Sequence, residues 1–184
     1  MIVNRRTALG QLLVISAGAA LLPSCLQDRS KSSILLKNFQ IDGQQEKLLA
    51  ELSETIIPAT NTPGAKDISA HLFVLKMLDD CYSSDDRKKF LTGLRQLDEA
   101  ARTASGKSFV KCTPAERESL IGGIENKTSG TSATELNFCY SLMKRLTILA
   151  YSSSPFFLTK VHVYELVPGR YHGCVPAKEL KTAS

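Results

Sequence analysis

The sequence predicts an all-α fold, a bundle of five or six helices followed by an irregular Pro/Gly-rich C-terminal tail. Three observations predict it. Apolar residues recur at helical spacing in several separate stretches. Residues that start and stop helices bracket those stretches. No alternating apolar–polar run of useful length appears between them.

The first predicted helix begins at Asp42. Leu48, Leu49, Leu52, Ile56 and Ile57 follow helical spacing, with Glu46, Lys47, Glu51 and Glu54 on the polar face. Pro58 ends it, and residues 59–65 form a turn-rich loop. A second helix is expected from about Ile68 to Cys81, with Leu72, Leu75, Met77 and Leu78 as core candidates. Ser83, Ser84 and Asp85 supply an N-cap for a third, about Asp86 to Ala104, whose apolar stripe is Phe90, Leu91, Leu94 and Leu97. Gly106 fits its stop.

Thr113-Pro114-Ala115-Glu116 is a helix-start signature. The Thr side chain can cap a free amide, Pro suits the first helical position, and Glu can reach back to the Thr amide. This helix is expected to reach about Asn126, with a polar break at residues 127–132. A longer helix follows, about Ala133 to Tyr151. It carries Leu136, Phe138, Tyr140, Leu142, Met143, Leu146, Ile148 and Leu149. Apolar residues cover much of its circumference, so it is expected to be the central, most buried helix. Pro155-Phe156-Phe157 opens a short segment to about Tyr164. The tail, residues 165–184, holds two prolines and two glycines between Pro168 and Pro176, which forbid a regular element there. No internal repeat is visible.

The N-terminus has a different character. Arg5 and Arg6 precede an uncharged stretch from Gln11 to Leu22, which stops at Leu22-Pro23-Ser24-Cys25. That is the layout of a cleaved export signal, residues 1–24. The arginine pair fits the twin-arginine route, which carries folded proteins, though it equally meets the positive start of a general secretory signal. An uncleaved membrane anchor needs about 20 apolar residues, and this run contains Gln11, Ser16 and Gly18, with Gly10 just ahead of it. Leu-Pro-Ser-Cys looks like a lipoprotein cleavage box, with Cys25 the thiol that receives lipid. Residues 25–41 then read as a lipidated tether, polar and Ser/Lys-rich at first, and residues 42–184 as the helical domain. The expected location is the periplasm or cell envelope, with the chain held to a membrane by lipid.

Removing residues 1–24 from the 184 leaves 160, enough for one domain with a substantial core. The formal charge falls from +5 to +3, because Arg5 and Arg6 leave without any acidic residue. The remaining basic residues are scattered, so the charge carries no nucleic-acid footprint. With Cys25 lipidated, Cys81, Cys112, Cys139 and Cys174 remain. An oxidising compartment permits disulfides among them, in three possible connectivities, and buried free thiols are the alternative. Their wide, irregular spacing does not suit zinc or iron–sulfur ligation.

Catalytic motifs are absent from the sequence. The three histidines, His71, His162 and His172, belong to no H-E-x-x-H pattern, and there is no G-x-S-x-G, P-loop or G-x-G-x-x-G motif. His162 and Tyr164 are placed near an interface or core. His172 beside Cys174 brings no further ligand. The acidic pairs Asp79-Asp80 and Asp85-Asp86 flank helix ends, where capping accounts for them.

Two Pro-Gly motifs carry a resemblance that helix periodicity does not supply. They are Glu54-Thr55-Ile56-Ile57-Pro58-Ala59-Thr60-Asn61-Thr62-Pro63-Gly64-Ala65 and Val167-Pro168-Gly169-Arg170-Tyr171-His172-Gly173-Cys174-Val175-Pro176. Stretches 90–94, 104–109 and 146–151 agree in kind. With the twin-arginine start, the chain resembles the gluconate 2-dehydrogenase subunit 3 family over nearly all of its mature length. The resemblance implies a small signal-bearing subunit of a periplasmic sugar or polyol dehydrogenase. Its partner would be a large FAD-dependent flavoprotein of the glucose–methanol–choline type, lacking its own export signal. The small subunit would carry the folded, FAD-loaded pair across the membrane, and a cytochrome c subunit can complete the complex. It holds no established cofactor, metal or catalytic residue of its own.

On that reading, Pro168, Gly169, Arg170, Tyr171 and Cys174 are the partner-binding candidates. A tail stiffened by proline loses less entropy on docking, and Arg and Tyr are enriched at interface centres. The alternative is a tail that packs back on its own bundle. At the level of the whole chain, the alternative is a stand-alone helical envelope lipoprotein.

Overall fold

The computed structural model describes residues 31–128 and 134–162. Five α-helices are found there: α1 (Gly43–Ile56), α2 (Ala70–Cys81), α3 (Ser84–Ser105), α4 (Pro114–Thr128) and α5 (Glu135–Ser152). A 3-10 turn, Phe109–Lys111, precedes α4, and a short π-helix, Phe157–Val161, follows α5. No strand occurs among the described residues, and the helices belong to a unit spanning Ser32–Ser184. The all-α class expected from the sequence is the fold observed.

Local chemistry accounts for the helix ends. Asp42 accepts the amides of Gln44 and Gln45 at 2.8 and 2.7 Å, while Gln45 Oε1 accepts the Asp42 amide, a reciprocal capping box. Ile57 is extended at φ −133°, as the residue before a proline must be, and α1 stops there. Ser83 caps α3 at the Asp86 amide, and Gly106 closes it at φ 72°, a left-handed conformation that suits a residue without Cβ. The box read from Thr113 to Glu116 is present in both directions: the Thr113 amide meets Glu116 Oε2 at 2.7 Å, and the Glu116 amide meets Thr113 Oγ1. Thr134 caps α5 at Asn137.

The observed α2 starts two residues later than periodicity places it. Residues 66–69 are turns, and Ser69 sits at φ 56°, the only non-glycine with positive φ among the described residues. A left-handed serine cannot lie inside a right-handed helix.

α5 packs against all four other helices, most extensively against α3. Gly93 sets the closeness of that crossing. A Cβ there would lie 2.1 Å from the Glu135 carbonyl oxygen and 2.5 Å from Cys139 Cβ. Around this crossing the core closes on Leu49, Leu52, Leu75, Leu78, Phe90, Leu94, Leu97, Phe109 and Met143, all buried. Full burial of each such side chain contributes about 1.5–3 kcal/mol. The central place expected for this last long helix is observed, with one departure. Ile148 and Leu149, read as part of its apolar surface, are 48 % and 44 % exposed.

Part of the segment that composition reads as a tether is docked on the bundle instead. From Ser33 the chain is docked on the bundle. Ile34, Leu36 and Phe39 pack on the core, and Ile41 is buried within it. The amides of Lys37 and Asn38 donate to the Asp79 carboxylate at 2.8 and 2.7 Å. Asp79 is 1 % exposed. This corrects the capping role expected of Asp79. Asp80 likewise makes no cap and pairs with Lys76 one turn back in the same helix, whereas Asp86 does join the Ser83 cap.

Candidate subunit interface

The loop after α1 is unusually well fixed for an exposed segment. The Glu54 carboxylate accepts the amide of Ala59 at 2.8 Å and that of Lys66 at 3.0 Å, and so spans the loop's two ends. The Ala65 amide returns to the Ile57 carbonyl at 2.9 Å, and the Gly64 amide meets Asp67 Oδ2. Gly64 is required here because a Cβ would lie 2.5 Å from the Glu54 carboxylate and 2.7 Å from the Ala59 amide. Between these anchors, residues 58–62 stand exposed, bounded by Pro58 and Pro63, without a charged side chain.

Tyr151 ties this loop to the end of α5. Its phenol donates to the Pro63 carbonyl at 2.9 Å. Its ring packs edge-on against Phe156 and Phe157 of the following segment. Below, Ala65, Ala70 and Ala150 form a small buried cluster with Ile57, Ile68 and Phe73 around it. Alanines allow the loop, the start of α2 and the end of α5 to approach closely. Ser154 holds the turn beyond α5, accepting the Phe157 amide and donating to the Tyr151 carbonyl.

Behind the loop lies a set of charges. Glu51 pairs with Lys66 and with Arg117. Arg117 also donates to the carbonyls of Phe109 and Val110 and lies over the Phe109 ring, 5.6 Å from its centre. Burial alone would raise the Glu51 carboxyl. Hydrogen bonds from Lys66 and Arg117 outweigh it and hold the group below the ordinary glutamate value.

The other chemistry-bearing groups are dispersed. Among the described residues no three His, Cys, Asp or Glu side chains gather to hold a metal. Cys81, Cys112 and Cys139 are free thiols. Burial pushes the Cys139 thiol up, which keeps it protonated and unreactive. His162 is exposed. His71 is buried, its Nδ1 has no hydrogen-bond partner, and burial lowers its pKa. A groove of about 760 Å³ runs between α3, α4 and α5, lined by small residues such as Ala100, Ala104, Ala115, Ser119 and Gly123. No helix of the described residues is long and apolar enough to cross a membrane.

Arg5, Arg6 and Cys25 lie outside the described residues, as do Pro168, Gly169, Arg170, Tyr171, His172 and Cys174 and the aromatic Tyr164. Of the two Pro-Gly motifs, the structure therefore describes the first. It shows a feature that the sequence did not disclose, namely Glu54 as the clamp of the loop. The signal was there in principle: a glutamate four residues before a proline and twelve before a lysine whose amide it accepts. Nothing in local pattern says that such a carboxylate turns back.

Comparison with curated proteins and with solved structures gives no match. A family model does match, over residues 43–169, from the first residue of α1 into the start of the tail. It covers the clamped loop, the α3–α5 crossing and the aromatic turn after α5. The chain belongs to the gluconate 2-dehydrogenase subunit 3 family.

Proposed function

We propose that this chain is a non-catalytic small subunit that escorts, stabilises and membrane-anchors a large FAD-dependent sugar dehydrogenase of the glucose–methanol–choline type in the periplasm. Membership of a family named for the third subunit of a dehydrogenase carries the reading, because it makes the chain one part of a multi-subunit oxidoreductase. The N-terminal sequence supports the rest. Arg5 and Arg6 ahead of an apolar run fit an export signal that carries folded cargo. Cys25 in the Leu-Pro-Ser-Cys box fits lipid attachment, and a multiply acylated cysteine holds a protein firmly to a bilayer. FAD belongs to the large partner, and a cytochrome c subunit can accept its electrons. The tail around Pro168, Gly169, Arg170, Tyr171 and Cys174 contributes to partner binding.

Replacing Arg5 and Arg6 by Lys tests the escort role. The expected result is flavoprotein retained in the cytoplasm, read by fractionation and FAD absorbance. A flavoprotein that still reaches the envelope overturns it. A chain purified colourless and alone from solubilised envelopes would instead mark a stand-alone envelope lipoprotein.

A further inference from the structure

Four large apolar side chains are conspicuously exposed among the described residues: Leu35, Ile148, Leu149 and Val161. Three of them fall between residues 148 and 161. A single exposed leucine needs no explanation, but a concentration of them does. The outward stripe of α5 runs through Ser141, Lys144, Arg145, Ile148 and Leu149. It is polar in the first half of the helix and apolar in the second. Val161 lies on the π-helix that packs back against α5.

This apolar end is tied to a braced loop. Tyr151 links it to the Pro58–Pro63 loop, and that loop is clamped by Glu54. A surface fixed in advance loses little entropy on binding. The helical part of the face carries cations alone, whereas the Glu54 and Asp67 carboxylates at the loop are turned to the loop's own amides. Residues 136–162 contain Lys144, Arg145 and Lys160 and no carboxylate. Lys144 is matched by Glu125, whereas Arg145 meets the Tyr82 phenol rather than an acid. The loop itself is uncharged from Pro58 to Pro63.

We infer that the last two turns of α5, the π-helix and the Pro58–Pro63 loop form the face on which the large FAD-dependent subunit of the dehydrogenase docks. That subunit presents an apolar patch, filled against Ile148, Leu149 and Val161, with carboxylates at its rim toward Arg145 and Lys160. The inference rests on the subunit reading above and adds to it the surface involved.

The test uses the full chain, tagged and recovered from detergent-solubilised envelopes, with the co-purifying dehydrogenase subunit identified by mass spectrometry. Ile148→Glu combined with Leu149→Glu places two carboxylates on the face at half-exposed positions. Lys88→Glu, on the exposed side of α3, is the control. The double variant is expected to lower recovery of the dehydrogenase subunit by about tenfold or more, with the control unchanged and helical circular dichroism retained in both. Undiminished recovery by the double variant overturns the face and leaves the subunit reading standing. Wild-type chain that brings no dehydrogenase subunit removes the subunit reading and the face with it.

A second measurement covers a double variant that folds poorly. Leu149→Cys is labelled with maleimide and read by peptide mass spectrometry. Labelling about tenfold slower in the complex than in the free chain is the expected result. Slow labelling of the free chain overturns the proposal, and its cause is separable. Relief by truncation after His162 identifies the chain's own tail, and dependence on protein concentration a second copy. Slowing by anionic phospholipid vesicles instead of by the dehydrogenase subunit identifies a membrane surface and overturns the proposal equally.

Discussion

The Tyr151 phenol donates to the Pro63 carbonyl at 2.9 Å across 88 residues of sequence. One hydrogen bond thus joins the end of the central helix to the loop that follows the first helix. Tyr151→Phe removes the bond and keeps the ring that packs on Phe156 and Phe157. The expected cost is about 1 kcal/mol of unfolding free energy. Hydrogen exchange should quicken at the Ala65 and Lys66 amides, whose bonds hold the loop, while exchange within α3 changes little.

Gly93→Ala tests the close crossing of α3 and α5. The new methyl would meet the Glu135 carbonyl at 2.1 Å, and backbone at the start of a capped helix cannot swing aside as a flexible side chain would. A loss of about 1–3 kcal/mol is expected from urea unfolding. The same substitution at Gly122, where a Cβ has open space and φ is ordinary, should be neutral or slightly stabilising, because alanine favours a helix.

Arg117→Met keeps the length and apolar stem of the side chain. It removes the side-chain donor to the Val110 carbonyl and one of the two donors to the Phe109 carbonyl, which keeps the Cys112 amide, and it leaves Glu51 with Lys66 alone. Unfolding should become easier by about 3 kcal/mol. The acid limb of the stability curve should change with it. Glu51 has its pKa lowered in the folded chain, so its contribution is present above the ordinary value of 4.5 and is lost as pH falls through the folded value. Without Arg117 the folded value moves back toward 4.5, so that loss should be smaller and complete at a higher pH.

His71 should make the fold sensitive to mild acid. Burial holds its folded pKa below the ordinary 6.5; the Glu46 charge opposes this, and the Lys66 charge adds to it. Above 6.5 neither state is protonated and the group is silent. As pH falls below 6.5 the unfolded chain takes up the proton first, so stability declines until the folded value is passed. His71→Gln, which does not titrate, should show a flatter curve between about pH 7 and 5 in urea titrations. Equal slopes for both proteins would remove His71 as the source.

Much of the secondary structure is legible in the chain because its causes are local. A capping box, a proline after Ile57 and a glycine at the end of α3 each act within four residues, and each is found at or within two residues of its expected place. The candidate interface is legible in part. The Pro58–Ala65 motif stands out by composition, but its clamp does not. The α5 sequence marks its outward side in the first half, at Ser141, Lys144 and Arg145, but its second half reads as apolar on most sides. Periodicity reports how apolar a face is, and the packing of α1 to α4 decides that Ile148 and Leu149 are left uncovered.

The sequence by itself determined the helical class, the order of the helices and their caps, because i to i+4 hydrogen bonds and side-chain caps depend only on neighbours. It also determined the family to which the chain belongs. Tertiary structure alone decided that Asp79 holds residues 37 and 38 rather than a helix end, that Glu51 meets Arg117 66 positions away, and that Gly93 lies under the start of α5. Each of these joins groups far apart in the chain, and only helices packed in one arrangement bring such groups within reach.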